Sequence, residues 1–201
     1  MVVEKAYGKL HGSYGAIATG FIDIAVHALT GFPSERICIR DGHSGFVKTT
    51  KEEISSGAFW ERLLNYQDRG CIFGASIAAD PSNPKGGGVE ESVGQGLNQR
   101  HAYSIIGLGV TAGGQKLVRI RNPWGFGEWS GNWSDTSTEM KEHAKEVKEV
   151  FPQHVVDAGG IRNGNEDGIF IMSYTDFLTY FTHVYSGLRF GGEFACIGLG
   201  V

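Results

Sequence analysis

The sequence predicts an α+β fold in which an antiparallel β-sheet carries short peripheral helices. Three observations carry that expectation. Two runs rich in Ile, Val and Leu, 101–110 and 116–121, flank Gly113-Gly114, and Gly-Gly between β-prone runs is a hairpin signal. The 31 glycines, several of them clustered, favour turns over long helices. The segments with helical spacing or caps, 4–18, 49–69 and 137–150, are all short.

Each element follows from local chemistry. Glu4 to Leu10 places apolar side chains three and four apart, which suits a helix. His27, a lone histidine in the stretch Phe21 to Gly31, reads as structural. Thr49 or Thr50 can cap a helix whose first turn carries Glu52 and Glu53, with Ser56 as a second start. Phe59, Trp60, Leu63 and Leu64 make an apolar stripe that belongs in a core, and Gly70 is a stop. Cys71 to Ala78 reads as a buried strand. Asp80 to Gly96 reads as a loop, and its glycines lack the context of a phosphate cradle. Ser137 to Val150 alternates carboxylates and lysines as a solvated surface helix does. Gly159 to Gly168 is a polar turn, Phe170-Ile171-Met172 a strand, and Tyr174 to Phe181 an aromatic segment.

Composition narrows the function classes. At 201 residues the chain can bury a real core. A net charge of -4 gives no electrostatic case for nucleic acid or an anionic membrane. No apolar run reaches the ~18 residues that a span requires, and Met1-Val2-Val3 is followed at once by Glu4 and Lys5, unlike a signal peptide. The three cysteines, Cys38, Cys71 and Cys196, are too few and too irregular for a disulfide framework or a zinc site. An intracellular, cytoplasmic setting is expected, with all three cysteines structural.

One pair in the hairpin has a chemical use. His101 enters the first strand and Asn122 leaves the second, and the midpoint of 101 and 122 falls at 111.5, beside the Gly-Gly turn. Residues equidistant from a turn lie side by side, so the two should meet at the open end, give or take a bulge. Pro123 ends the pairing and Trp124 sets an indole next to it. An amide oxygen can fix a histidine tautomer without adding charge, as Cys-His-Asn catalysis requires. Spacing alone favours the plainer alternative, in which two polar residues merely end two strands.

The residues say more than the spacing. His101-Ala102-Tyr103-Ser104, Arg119-Ile120-Arg121-Asn122-Pro123-Trp124-Gly125 and Glu128-Trp129-Ser130-Gly131-Asn132-Trp133-Ser134-Asp135 closely resemble the second protease-core subdomain of calpains, which are papain-like, calcium-dependent cysteine proteases. The resemblance runs from Glu4-Lys5-Ala6-Tyr7-Gly8 to Glu166-Asp167-Gly168-Ile169-Phe170, covering about residues 4 to 185. It implies an antiparallel, barrel-like subdomain, the C-terminal half of a papain-like core, over 1–187, with 188–201 an unassigned tail. It implies that His101 is the catalytic histidine, Asn122 its orienting partner and Trp124 the ring shielding their bond.

The same resemblance implies a cysteine-type endopeptidase acting on protein or peptide substrates, with the thiol supplied by a first subdomain. No glutamine-led cysteine block of that kind is present, so the chain alone should be inactive. The alternative is a non-catalytic calpain-like interaction module. Arg100 stands where better-known calpains have glycine, which points nearer the small-optic-lobes branch. The resemblance also implies a Ca2+ site from Glu128, Asp135 and Asp167 with the Asn165 carbonyl. Ile169 replaces a further acidic ligand, and an apolar side chain cannot coordinate a hard cation. Otherwise Glu128 and Asp135 are solvent-facing charges or partners of Arg119 or Arg121.

Overall fold

The computed structural model describes residues 2–40, 43, 45, 47–79, 90–152 and 167–188. The Gly-rich run 80–88, Asn165, Cys196 and the tail beyond Leu188 lie outside them. The α+β class is as expected. Its centre is a seven-stranded sheet, formed by β1 (Ser34–Cys38), β2 (Val47–Lys48), β3 (Ile72–Ile77), β6 (His101–Val110), β7 (Lys116–Arg121), β8 (Ile169–Ser173) and β9 (His183–Gly187). The order across the sheet is β2-β1-β9-β3-β6-β7-β8. All neighbours are antiparallel except β1 and β2, which run parallel. The sheet is therefore mixed and, among the described residues, does not close into a barrel.

A small hairpin of β4 (Glu91–Gly94) and β5 (Leu97–Gln99) precedes the histidine strand, where the sequence suggested only loop. Its strands are four and three residues long and carry polar side chains, so the alternation signal is too short to read.

The expected central hairpin forms as β6 and β7. The Thr111 carbonyl accepts from Gly114 at 2.8 Å, and the Thr111 N–H donates to Gln115, closing the Gly-Gly turn. A bulge at Ile106 shifts the register, so that Ser104 pairs with Arg121 and Gly107 with Arg119. The extra residue is paid out to solvent, with Ile106 exposed while His101, Tyr103 and Ile105 alternate inward.

Period-two alternation in β7 and β8 separates two cores. Val118, Ile120, Phe170 and Met172 join the larger one, with Phe59, Trp60 and Leu63 of α4 (Ala58–Asp68) and Phe177 of α7 (Tyr174–Tyr180). Leu117 and Ile171, one residue out of phase, face the smaller one with Trp133, Met140, Val147 and Phe151. The charged stretch after Ser137 is thus two short helices, α5 (Thr138–Glu142) and α6 (Ala144–Val150), meeting at His143. Their lysines face water as expected, while Met140 and Val147 are buried.

Other helices follow their caps. Thr50 caps α3 (Lys51–Ser55) in a full capping box with Glu53. At the N-terminus α1 spans only Val2–Leu10, and a single 3-10 turn covers Gly15–Ile17. The expectation of helix as far as residue 18 is too long, because Gly12 takes a positive φ and ends it. Helix α2 (Ile22–Thr30) is pinned to β1 by Asp23, which accepts from Arg36 at 2.9 Å. Phe21 lies under that guanidinium, 3.6 Å from its ring centre.

Candidate active site

His101 opens β6 and pairs across the sheet with Ile77 of β3. Asn122 follows the last residue of β7, where its N–H leaves the β6 ladder and donates to the Gly168 carbonyl at 2.7 Å. The bulge keeps the two Cα atoms out of direct register, yet the side chains meet: His101 Nε2 lies 2.8 Å from Asn122 Oδ1. Both residues are buried, Asn122 completely.

Neighbouring groups fix the amide's orientation. Asn122 Nδ2 donates to the Gly127 carbonyl at 3.0 Å, so the other branch is the oxygen. That oxygen also accepts the Trp124 N–H at 3.1 Å. An amide oxygen only accepts, so His101 Nε2 must carry a proton. Nδ1 is left as the nitrogen available for chemistry. It faces the Glu90 carboxylate at 2.9 Å, a contact with no local sequence signal to announce it.

Two aromatic rings hold the imidazole. Tyr103 meets it edge-on, with centroids 4.7 Å apart at 87°, and Trp124 lies at 4.4 Å and 46°. The Tyr103 hydroxyl accepts the Asn98 N–H at 2.9 Å, and burial pushes its pKa up to about 12, so it stays neutral. Trp124 covers one side only. It is 44% exposed and stacks on exposed Phe126, so one wall of the site is an open aromatic surface.

A cleft of about 510 Å³ lies against His101, lined in part by Phe21, Arg36, Ile77, Ala78, Arg100 and Tyr185. Arg100, immediately before the histidine, takes a left-handed φ of 57°. Glycine adopts that conformation freely, whereas arginine does so at a cost. Its N–H donates to Ile77 at 2.6 Å, and its side chain lies 3.9 Å from Glu91.

The described cysteines are distant from the imidazole. Cys71 precedes β3 at the end opposite Ile77, roughly 20 Å away at ~3.3 Å per residue. It is half-buried rather than fully enclosed. Cys38 pairs with His183, which pairs with Ser76, so two strands separate it from β6. Its buried thiol lies within hydrogen-bonding reach of the Arg40 and His43 carbonyls, at 3.0 and 3.3 Å.

The acidic residues after the Asn-Pro-Trp-Gly turn do different work. Glu128 Oε1 accepts the N–H groups of both Asp167 and Gly168 at 2.9 Å. Asp167 Oδ1 accepts from Ile169 at 2.9 Å. Desolvation raises the Glu128 pKa, opposed by those backbone bonds and reinforced by the charges of Asp135 and Asp167. Arg119, on the same face of β7 as Leu117, is buried and interacts with both aspartates. Asp135 is thus partly enclosed rather than solvent-facing. Among the described residues no three His, Cys, Asp or Glu side chains converge so as to hold a metal ion. Glu128, Asp135 and Asp167 are thus tied together through backbone bonds and the charge of Arg119.

A buried histidine aimed by an asparagine just past the neighbouring strand is the orienting pair that Cys-His-Asn catalysis uses. Family comparison agrees: residues 1–186 match the model described as calpain family cysteine protease, and the chain belongs to that family. It is similar to the calpain-type cysteine protease DEK1 of Arabidopsis thaliana, 36% identical over 185 residues, covering 92% of this chain and 7% of that one. It is also similar to calpain-5 of Mus musculus (34%, 91% and 28%) and calpain-B of Drosophila melanogaster (33%, 91% and 18%). The chain thus spans well under a third of the length of these relatives. Among the described residues no helix is long and apolar enough to cross a membrane.

Proposed function

We propose that residues 1–187 supply the histidine and asparagine half of a calpain-type cysteine endopeptidase, with 188–201 a separate tail. The observation that carries this reading is the 2.8 Å bond between His101 Nε2 and Asn122 Oδ1, buried beside a cleft. With Nε2 protonated, Nδ1 takes the proton of an incoming thiol, and the resulting imidazolium pairs with the thiolate. The thiolate attacks a peptide carbonyl, and the imidazolium returns its proton to the leaving amine. Water then hydrolyses the acyl-enzyme, with the imidazole again acting as base. Asn122 holds the ring without competing for the proton, and Trp124 limits water on its side of that bond, which strengthens it.

The thiolate would come from a first subdomain outside this chain, since Cys38 lies two strands from β6 and Cys71 lies at the far end of β3 from His101. The expected outcome is that the purified chain cleaves no casein. Cleavage that a thiol-alkylating reagent abolishes would contradict the assignment. Substrates would be proteins or peptides, and the setting intracellular.

Calcium at Glu128, Asp135, Asp167 and the Asn165 carbonyl rests on resemblance alone, and no step above uses it. Calorimetric titration of the chain decides the matter: heat at up to millimolar calcium supports the site, and its absence removes it.

A further inference from the structure

We propose that Glu90 is a built-in stand-in for the catalytic sulfur, a carboxylate that keeps this half-site paired with itself until a thiolate displaces it. The inference rests on His101 being the catalytic histidine.

Asn122 Oδ1, itself held by the Trp124 N–H, commits Nε2, so Nδ1 is the one ring nitrogen that a thiolate can reach. Glu90 Oε1 occupies that nitrogen at 2.9 Å. Carboxylate and thiolate carry the same charge, and either satisfies an imidazolium, but two anions cannot share one N–H. An ionised carboxylate only accepts, so with Glu90 bound both ring nitrogens carry protons. In that state Nδ1 cannot act as a base.

The contact is placed, not incidental. Glu90 directly precedes β4, whose Glu91 pairs with Gln99 of β5, one residue before Arg100. The hairpin is tied down in turn: Ser130 donates through its N–H to the Gln95 carbonyl at 3.1 Å and through Oγ to Gln95 Oε1 at 2.9 Å. The two partners differ in freedom. The His101 side chain is 4% exposed and caged by Tyr103 and Trp124, whereas that of Glu90 is 35% exposed. Glu90 can leave by rotating its own side chain into solvent, while the ring stays aimed.

A self-paired state populated at ~90% leaves ~10% competent, so removing it should raise the rate about tenfold. The test compares Glu90→Gln with wild type in a longer polypeptide made by joining this chain to a calpain-type cysteine-bearing subdomain. Alkylation of that cysteine by iodoacetamide and kcat/KM on a fluorogenic peptide should both rise, towards tenfold. Unchanged or lower values would overturn the proposal, lower ones marking Glu90 as a support for the base. Nitrogen-15 NMR of the isolated chain gives an independent readout. Wild-type His101 should show two protonated ring nitrogens, and E90Q should move Nδ1 towards the unprotonated position. Coincident spectra would also overturn it. His101→Ala in the longer polypeptide separates the two failures: retained activity there refutes the catalytic assignment itself, whatever E90Q does.

Discussion

Asn122 shows how a single side chain gains a direction. It donates to one carbonyl and accepts from one backbone N–H, which leaves its oxygen no orientation but towards His101. Glu128 plays a comparable role with a charge that the site resists. Its folded pKa lies above the ordinary 4.5, chiefly through desolvation. A raised carboxyl pKa means that protonated Glu128 favours folding. That stabilisation is complete below the ordinary value and fades as pH rises through the folded value. Glu128→Gln keeps an oxygen for the Asp167 and Gly168 N–H groups and never ionises. Urea denaturation across this window should therefore show the variant losing less stability than wild type as pH rises towards neutral. A steeper loss in the variant would contradict the assignment.

Elements were legible in proportion to their local signals. The β6–β7 hairpin announced itself through Gly113-Gly114 and its β-prone runs, and α3 through Thr50 and Glu53. The Ile106 bulge changed the register without changing the outcome, because side chains of this size bridge one residue of slip. Strands β1 and β9 were missed, since they are short and pair with distant chain. The β4–β5 hairpin was too short and polar to read, and with it Glu90 went unseen. The His101–Asn122 pair was legible because the hairpin makes it nearly local. The arrangement of Glu128, Asp167 and Arg119 was not, because backbone bonds across 39 and 40 residues decide it.

One of those long-range contacts gives a test at the scale of elements. Gly168 begins the turn into β8 at φ +78°, and a Cβ there would lie 2.7 Å from the Asn122 carbonyl oxygen. Gly168→Ala should cost about 2 kcal/mol, a fall in Tm of roughly 4–8 °C, measurable by calorimetry. An unchanged Tm would show that the turn relaxes without strain.

At the scale of the whole molecule, two cores on opposite faces of one open sheet hold the site's strands rigid, while the histidine's reactive edge is left at the rim beside a cleft. Gly96 marks how closely the rim is fitted: a Cβ on it would collide with the Glu128 backbone carbonyl, so the β4–β5 turn can lie there only as glycine. A base aimed from a stiff sheet, with one nitrogen committed and the other at a boundary, is suited to meeting a group carried on a different body. The most direct measurement is peptide hydrolysis by this chain carrying His101→Ala and joined to a calpain-type cysteine-bearing subdomain, with circular dichroism to confirm that it folds. Activity should fall by ~10²–10⁴-fold or more. A folded variant that cleaves at the wild-type rate would contradict the account.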